Sequence, residues 1–460
     1  MKHLVTLCII ILQCHAFASE DSLKSSLNGI IARSGIKRGD IGAYVTDSSK
    51  NVVFELNSEK HFIPASISKL ITTAAVMNKF PPNTKFHTQI FTDGEQDSET
   101  LTGNIYLKGN GDPAFVSEKM WMLVDDFTRT GIKKVTGNII ADDTAFDTER
   151  FDPGREPDRN DRAYDAPVGA LSFNWNSTTI YIRPGKKSGD KARVFVDPEN
   201  SFVVLKNEVT TSSKGTDVTA DRTESGDHDV VAVRGKIALR AEEHHIYKDI
   251  SSPPLYAAAN FKEFLKQRGV IVDGEVKTGG VPKSAVLASD LEGEPLYRII
   301  NDMNKFSNNY IAEMLAKNLG QGKMSEGLNL IRQFLKDEFH WSSDDFNLSN
   351  VSGFTRKNSF TARQFVAVLS WLERHFTLYP EFLQSLPVSG IDGTLHTRMK
   401  NSAQGWVRAK TGLLNGVVAL SGYAGSHDGT VKLFTFIYNG GGDEAHVRDT
   451  FDSMASALVK

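Results

Sequence analysis

The two ends of this 460-residue chain carry complementary patterns, and the long segment between them has a different one. At the start, apolar residues at helical spacing predict a helix over 22–34. Two strand-like runs follow over 40–47 and 51–56, and then a helix begins after Pro64. Near the end, three strand-like runs and a final helix are predicted, over 406–411, 417–424, 431–439 and 443–459. We therefore expect one α+β unit built from both ends of the chain.

The middle of the chain, residues 87–289, consists of short β-like runs between turns rich in Gly, Asp and Ser. We interpret it as a mostly β insertion, with room for two subdomains. The α+β unit is then discontinuous and consists of residues 19–86 and 290–460; it includes two further helices, predicted over 308–319 and 325–339. Within the insertion, the run DDTAFDTERFDPGREPDRNDRAYD is rich in Asp, Arg and Pro, which favours a solvated loop for most of its length.

The first 18 residues, MKHLVTLCIIILQCHAFA, have the organisation of a secretory signal peptide. A basic start precedes a nine-residue apolar run, which is far shorter than the ~20 residues needed to span a bilayer. Ala16-Phe17-Ala18 then provides the small-x-small cleavage pattern. A lipoprotein signal at Cys14 is less favoured, because Gln13 stands where a small residue is expected. We expect export across the inner membrane to a periplasmic or extracytoplasmic location.

Both cysteines of the chain, Cys8 and Cys14, lie inside this segment. The mature chain would therefore have no disulfide, no thiol nucleophile and no cysteine-based metal site. The 53 basic and 56 acidic residues nearly balance, which gives no reason to expect nucleic acid or a membrane surface as a partner. No second apolar run is long enough to span a membrane, and no metal or cofactor motif is visible, so neither is expected.

The remaining chemical motif is Ser-x-x-Lys, which occurs three times. A serine hydroxyl is a poor nucleophile and needs an adjacent base, and positions i and i+3 share one face of a helix. The copies that begin at Ser34 and Ser188 contain Gly and lie in turn-like segments. Only Ser66-Ile-Ser-Lys69 opens an apolar helix, where backbone N–H groups can stabilise a developing oxyanion. This copy predicts acyl transfer through a serine ester, with Lys69 as the base.

Two companion motifs follow Ser66-x-x-Lys69 along the chain. In each case, one copy is favoured over the others by its order and its predicted structural context. Ser307-Asn308-Asn309 stands at a predicted helix start, whereas the other Ser-x-Asn copies have simple helix, turn or loop interpretations. Lys410-Thr411-Gly412 lies in a predicted strand, whereas the other Lys-Thr-Gly copy, at Lys277, abuts a Gly-Gly-Val-Pro turn.

A neutral Lys69 requires a pKa near 7 instead of ~10.4, and burial with a second cation nearby can lower it that far. Lys410 is the obvious second cation.

PASISK, KFSNN and VRAKTG resemble the three active-site motifs of the penicillin-recognising serine enzymes. The resemblance is closest to the class C low-molecular-mass penicillin-binding proteins, which are D-alanyl-D-alanine carboxypeptidases and endopeptidases of peptidoglycan. It extends to VTGNIIADDTAFD, AYDAPVGALSFNWN, VSGFTRKNSFTA and LPVSGIDGTLHTRM. Members of this family also have a large insertion between the first two motifs, which fits this chain, where Ser66 and Ser307 are 241 residues apart. The resemblance implies a β-lactamase/transpeptidase-like domain, an antiparallel sheet flanked by helices, and acylation by β-lactam antibiotics.

The resemblance also implies roles for the motif residues. Ser66 would attack the carbonyl of the penultimate D-alanine, and Ser307 would relay a proton to the leaving amine. Asn309 would bind the substrate backbone and hold Lys69. Lys410 and Thr411 would bind the terminal carboxylate of the peptide.

Further positions would bind the substrate without taking part in the chemistry. Leu413, which follows Gly412 of the third motif, would share the oxyanion hole with Ser66 through its N–H. Many relatives carry Ser or Thr at that position, and Leu413 lacks the hydroxyl that would add a contact to the substrate carboxylate. Arg356, Asp161 and Tyr164 resemble positions that recognise the diamino-acid side chain of the stem peptide. For Arg356, a salt bridge in a turn is an equally good interpretation.

Two other function classes stay open from sequence alone. The same fold could serve an esterase or a β-lactamase, although a small ester gives no reason for the inserted β region. It could also serve a non-catalytic protein that binds cell wall or senses β-lactams, although the intact motif residues argue against that. The favoured hypothesis is a serine-type D-Ala-D-Ala carboxypeptidase and endopeptidase.

Overall fold

Strands from both ends of the chain form one five-stranded antiparallel sheet. The computed structural model describes residues 22–155, 160–400 and 402–459, so the predicted signal segment, 1–18, lies outside the described residues. The strands are β1 (Ile41–Asp47), β2 (Val52–Leu56), β18 (Val407–Leu414), β19 (Val417–Gly425) and β20 (Val431–Asn439). Their order is β18-β19-β20-β1-β2, so the first hairpin pairs with the last strand. The predicted α+β unit with its antiparallel sheet is confirmed.

Side chains alternate between the two faces of this sheet, and different helices cover each face. Phe434 and Phe436 pack against α1 (22–34) and α10 (Glu444–Ala457). Leu433 and Ile437 point to the opposite face and join the core of a larger helical layer. That layer consists of α2 (Ser68–Lys79), α5 (Leu296–Lys305), α6 (Asn309–Leu319), α7 (Met324–Phe339), α8 (Ala362–Arg374) and α9 (Tyr379–Ser385).

The region between the two halves has its own apolar core, formed by residues between Ile90 and Val272. Its strands are β3 (His87–Thr92), β4 (Glu95–Asp97), β5 (Thr100–Thr102), β6 (Ile105–Gly109), β7 (Lys134–Val135), β8 (Ile139–Asp142), β9 (Ser177–Arg183), β10 (Arg193–Val196), β11 (Val203–Ser212), β12 (Asp217–Ser225), β13 (His228–Ala238), β14 (His244–Asp249), β15 (Ile271–Val272), β16 (Val276–Thr278) and β17 (Val286–Glu292). Within the described part of the chain they form four sheets, ordered β16-β8-β6-β3-β17, β15-β7-β5-β4, β10-β9-β14 and β11-β13-β12.

Two helices also belong to this region, although only β runs were visible there in the sequence. They are α3 (Ser117–Thr128) and α4 (Pro253–Gln267), and each buries an apolar face in the same core as the strands. Strand β17 crosses the predicted boundary at residue 289 and pairs with β3. This pairing brings the two ends of the predicted insertion together, and the domain boundaries at 87 and 289 stay a prediction. Among the described residues, we find no helix with both the length and the apolar character that a membrane crossing needs.

Candidate active site

Ser66 lies in a 3₁₀ turn, Ala65–Ile67, that runs directly into α2. Ala65 has a φ of 49°, a left-handed conformation that is uncommon for a residue with a side chain. Two glycines allow other segments to approach this turn closely. A Cβ on Gly353 would lie 2.0 Å from the carbonyl oxygen of Ala65. A Cβ on Gly412 would lie 2.8 Å from the carbonyl oxygen of Pro64. The turn that carries Ser66 is therefore clamped between backbone segments.

The side chain of Lys69 is fully buried, and its amine contacts three oxygen atoms. Nζ lies 3.1 Å from Ser66 Oγ, 2.7 Å from Asn309 Oδ1 and 2.6 Å from the carbonyl oxygen of Ser352. The amide and carbonyl oxygens can only accept hydrogen bonds. When the Lys69 amine is neutral, these two oxygens accept hydrogen bonds from its two N–H groups. The nitrogen lone pair is then free to accept the proton of the Ser66 hydroxyl. This geometry suits proton transfer from Ser66 to Lys69.

Burial is the main reason why the pKa of Lys69 lies well below its ordinary value. The positive charges of Lys410 and Arg155 lower this pKa further, whereas the carboxylate of Glu313 raises it. Lys410 is also fully buried, and burial lowers its pKa to about 7. The structure therefore provides both causes that the sequence indicated for a neutral Lys69.

The second motif is divided by a helix start. Ser307 precedes α6 with a φ of 57°, and the Asn308 side chain caps the helix by accepting from Ile311 N at 3.1 Å. Asn309 is the first helical residue, and its amide also donates to the Tyr164 carbonyl oxygen at 3.1 Å. The cap orients the two outer residues of the motif, so that one faces Lys410 and the other faces Lys69.

The third motif lies on β18, one of the two edge strands of the sheet. Lys410 Nζ donates to Ser307 Oγ at 2.7 Å and to the carbonyl oxygen of Thr411 at 2.8 Å. The Thr411 hydroxyl donates to Thr394 Oγ1 at 2.9 Å. The structure thus brings the three motifs together. Thr394 had no predicted role, although it lies in LPVSGIDGTLHTRM, one of the segments that carry the family resemblance.

Beneath Lys69 lies a buried ion network that the sequence did not indicate. Arg155 Nε donates to Glu313 Oε1 at 2.7 Å, and Arg155 Nη1 donates to Asp165 Oδ1. Both charged partners are almost completely buried. Ser352, whose carbonyl accepts from Lys69, donates its hydroxyl to Glu313 at 3.2 Å. The interpretation of this Asp- and Arg-rich run as a solvated loop is wrong for these residues, because burial with ion pairing stabilises them in the core.

The three predicted side-chain recognition residues differ in their position. The carbonyl of Tyr164 contacts Asn309, and its half-exposed ring packs edge-on against Phe354 with centroids 5.6 Å apart. Asp161 accepts from Lys248 Nζ at 2.6 Å, and the exposed Arg356 bonds the carbonyl oxygen of residue 415. Tyr164 therefore reaches the site, whereas Asp161 is bound within the insertion. The substrate-binding roles of all three stay predictions.

Leu413, the other predicted binding residue, is half-exposed on β18, directly after Gly412. Its role in the oxyanion hole stays a prediction.

Among the described residues, no group of three or more His, Cys, Asp and Glu side chains could hold a metal ion.

Comparison with known proteins identifies similar chains over most of the sequence. The family model described as the D-Ala-D-Ala carboxypeptidase 3 (S13) family matches residues 23–460. A D-alanyl-D-alanine carboxypeptidase of Actinomadura sp. strain R39 is 28% identical over 445 residues, which cover 91% of this chain and 81% of the relative.

Two solved structures share the fold. Penicillin binding protein 4 of Haemophilus influenzae matches with a TM-score of 0.77 and 21% identity, and the match covers 91% of this chain and 95% of that protein. A predatory endopeptidase of Bdellovibrio bacteriovorus, solved with an immunity protein, matches with a TM-score of 0.53 and 15% identity over 90% of both chains. The first likeness confirms the predicted transpeptidase-like fold.

Proposed function

The chain belongs to the D-Ala-D-Ala carboxypeptidase 3 (S13) family, and from this premise we propose that Ser66 is the nucleophile of its serine-type carboxypeptidase reaction. Membership confirms the resemblance to the penicillin-recognising serine enzymes. The observation that carries the assignment of Ser66 is the Lys69 amine, 3.1 Å from its hydroxyl and otherwise bonded only to acceptors.

In the acylation step, Ser66 Oγ attacks the carbonyl carbon of the penultimate D-alanine while its proton passes to Lys69 Nζ. The lowered pKa of Lys69 favours the neutral amine, which can accept that proton. The backbone N–H groups of Ser66 and Leu413 then stabilise the tetrahedral oxyanion. Since Gly412 permits close packing of β18 against the Ser66 turn, both N–H groups can belong to one pocket.

In the second half of this step, the bond to the terminal D-alanine breaks, and its nitrogen gains the proton that Lys69 took from Ser66, which Ser307 relays. Lys69 is then neutral again. The Ser307 hydroxyl accepts from Lys410 Nζ, so its own hydrogen can point to the leaving amine. Thr411 and the Lys410 ammonium bind the carboxylate of the leaving D-alanine. Water then hydrolyses the Ser66 ester, and Lys69 serves again as the base.

The same centre can cleave a cross-link, because the bond between two stem peptides also joins a D-alanine carbonyl to an amine. We therefore include endopeptidase activity on peptidoglycan in the proposal, with Arg356, Asp161 and Tyr164 as candidate contacts for the stem-peptide side chain. β-lactams would acylate Ser66 in place of the peptide. The signal-like N-terminus supports a periplasmic or extracytoplasmic location, where this substrate lies.

Labelling of the purified protein with a fluorescent penicillin tests the nucleophile. We expect one covalent adduct, on the peptide that contains Ser66, as read by mass spectrometry. Parallel digestion of muropeptides should release free D-alanine and reduce cross-linked dimers. An adduct on another serine would contradict the assignment, and labelling without any change in muropeptides would favour a β-lactam sensor.

The pH dependence of kcat/KM should be bell-shaped, because the reaction needs a neutral Lys69 and a charged Lys410. As pH rises, Lys69 loses its proton first, since the charge of Lys410 lowers its pKa, and the rate increases. The rate then falls as Lys410 loses its proton, with a pKa of about 7. We expect this alkaline limb to disappear for a peptide amidated at its C-terminus, because that peptide has no carboxylate for Lys410. An unchanged limb would assign it to another group.

A further inference from the structure

A cavity of about 460 Å³ adjoins the active site on the side of Ser307. Phe306, the residue directly before Ser307, lines it, and so does Gly393, directly before Thr394. In the proposed reaction Ser307 protonates the leaving amine, so the leaving group lies against this side. A leaving group larger than one amino acid therefore extends toward the cavity.

Arg408 also lines the cavity, two residues before Lys410 on β18. Residues two apart share one face of a strand, so Arg408 and Lys410 point to the same side of the sheet. Within the described part of the chain, no hydrogen bond or ion pair joins the Arg408 guanidinium to another side chain. Its five N–H groups remain available for a ligand.

The other charges of the cavity balance each other. Lys305 Nζ lies 2.6 Å from Asp392 Oδ2 and also donates to the Leu386 carbonyl oxygen at 2.7 Å. The second oxygen of Asp392 accepts from the backbone of residue 388. Lys305 and Asp392 thus cancel, and Arg408 leaves the cavity with one positive charge. This charge favours an anion, and the planar guanidinium matches a carboxylate with two parallel hydrogen bonds.

The rim of the cavity is apolar. Phe306 is 69% exposed and Ile391 is 58% exposed, although both are large hydrophobic residues. Solvated apolar side chains beside an unpaired arginine are suited to a ligand with both aliphatic and anionic parts. A peptide strand with short aliphatic side chains and free carboxylates has this character.

We propose that this cavity binds a carboxylate of the leaving strand when the substrate is a cross-linked peptidoglycan dimer, with Arg408 as the binding residue. The inference rests on the proposed function. When a single D-alanine leaves, its only carboxylate is taken by Thr411 and Lys410, and nothing reaches Arg408. When a second stem peptide leaves, its additional carboxylates extend past Ser307 into the cavity. Arg408 thereby gives the site a preference for cross-linked substrate.

The test compares kcat/KM for a purified cross-linked muropeptide dimer with that for the matching monomeric pentapeptide. In Arg408→Gln, the ratio of dimer to monomer should fall by about 10- to 100-fold, the effect of losing the charge-assisted contact between the guanidinium and a carboxylate. The loss should appear mainly in KM for the dimer. Arg408→Lys should restore part of the ratio, because it keeps the charge without the planar fork.

Arg448→Gln is the matched control. Arg448 is exposed on α10, which packs on the opposite face of the sheet, and the substitution removes the same charge. A ratio in Arg408→Gln within twofold of wild type, or an equal loss for both substrates, would overturn the inference. Failure of the proposed function is distinguishable, because the wild-type protein would then cleave neither substrate and Ser66 would carry no penicillin adduct.

Discussion

Replacement of Lys69 by methionine should lower the rate of Ser66 acylation by at least about 10³-fold. Methionine has a similar length but no basic nitrogen, so the Ser66 proton has no acceptor. The expected size follows from general-base catalysis, which typically contributes 10²- to 10⁴-fold, and from the joint action of nucleophile and base. The rate constant for acylation by a fluorescent penicillin, measured at saturating reagent, reports the effect directly.

Lys79→Met is the matched control for this variant, because Lys79 lies on the same helix but is exposed at its end. We expect its acylation rate to stay within twofold of wild type. Ser66→Ala sets the background of the assay. A Lys69→Met protein that melts cooperatively and is acylated within tenfold of wild type would show that another group removes the proton.

The sequence predicted the elements of the catalytic domain well, because their signals are local. The apolar residues around Lys69 recur at helical spacing. The run 431–439 is apolar on both faces, as expected for a central strand. Helix α8, whose apolar residues also have helical spacing, was not identified. The sequence predicted a helix start at Ser307-Asn308-Asn309, and the structure shows that Asn308, the middle residue of this motif, is the cap.

The surroundings of Lys69 could not be predicted, because they depend on contacts between distant segments. Ser352, whose carbonyl holds the amine, is 283 residues from it in sequence and belongs to no catalytic motif. Arg155 and Asp165 lie in a run whose composition is typical of a solvated loop. Their burial depends on Glu313, which projects from α6 into the same space. Composition reports average exposure and cannot identify the few charges that are paired inside a core.

The same network links the predicted insertion to the proposed role of Lys69. Arg155 lies between β8 and β9 of the predicted insertion, yet its guanidinium pairs with Glu313 on α6. Without Arg155, the Glu313 carboxylate would face Lys69 with its charge uncompensated, and it would raise the pKa of Lys69. The amine would then keep its proton to higher pH and act less well as a base near neutrality. In the proposed reaction, the predicted insertion therefore supplies a charge that favours the neutral form of Lys69.

Arg155→Met should therefore change both stability and the pH profile. The substitution removes one partner of a buried ion network, which typically costs about 3–5 kcal/mol in the free energy of unfolding. Urea denaturation measures this cost. Arg183→Met is the matched control, because Arg183 lies in the insertion but pairs with Glu243 at the surface, and its side chain is 53% exposed. Loss of this exposed pair should cost less than about 1 kcal/mol.

The pH profile separates the electrostatic effect from a loss of folded protein. In Arg155→Met the acidic limb of kcat/KM should move to higher pH, because both changes around Lys69 favour its charged form. Adding Glu313→Gln to this variant removes the uncompensated carboxylate and should return the limb toward its wild-type position, whether or not stability recovers. A general loss of activity without displacement of the limb would mean that Arg155 only supports the fold, and Lys69 would then owe its low pKa to burial and Lys410 alone.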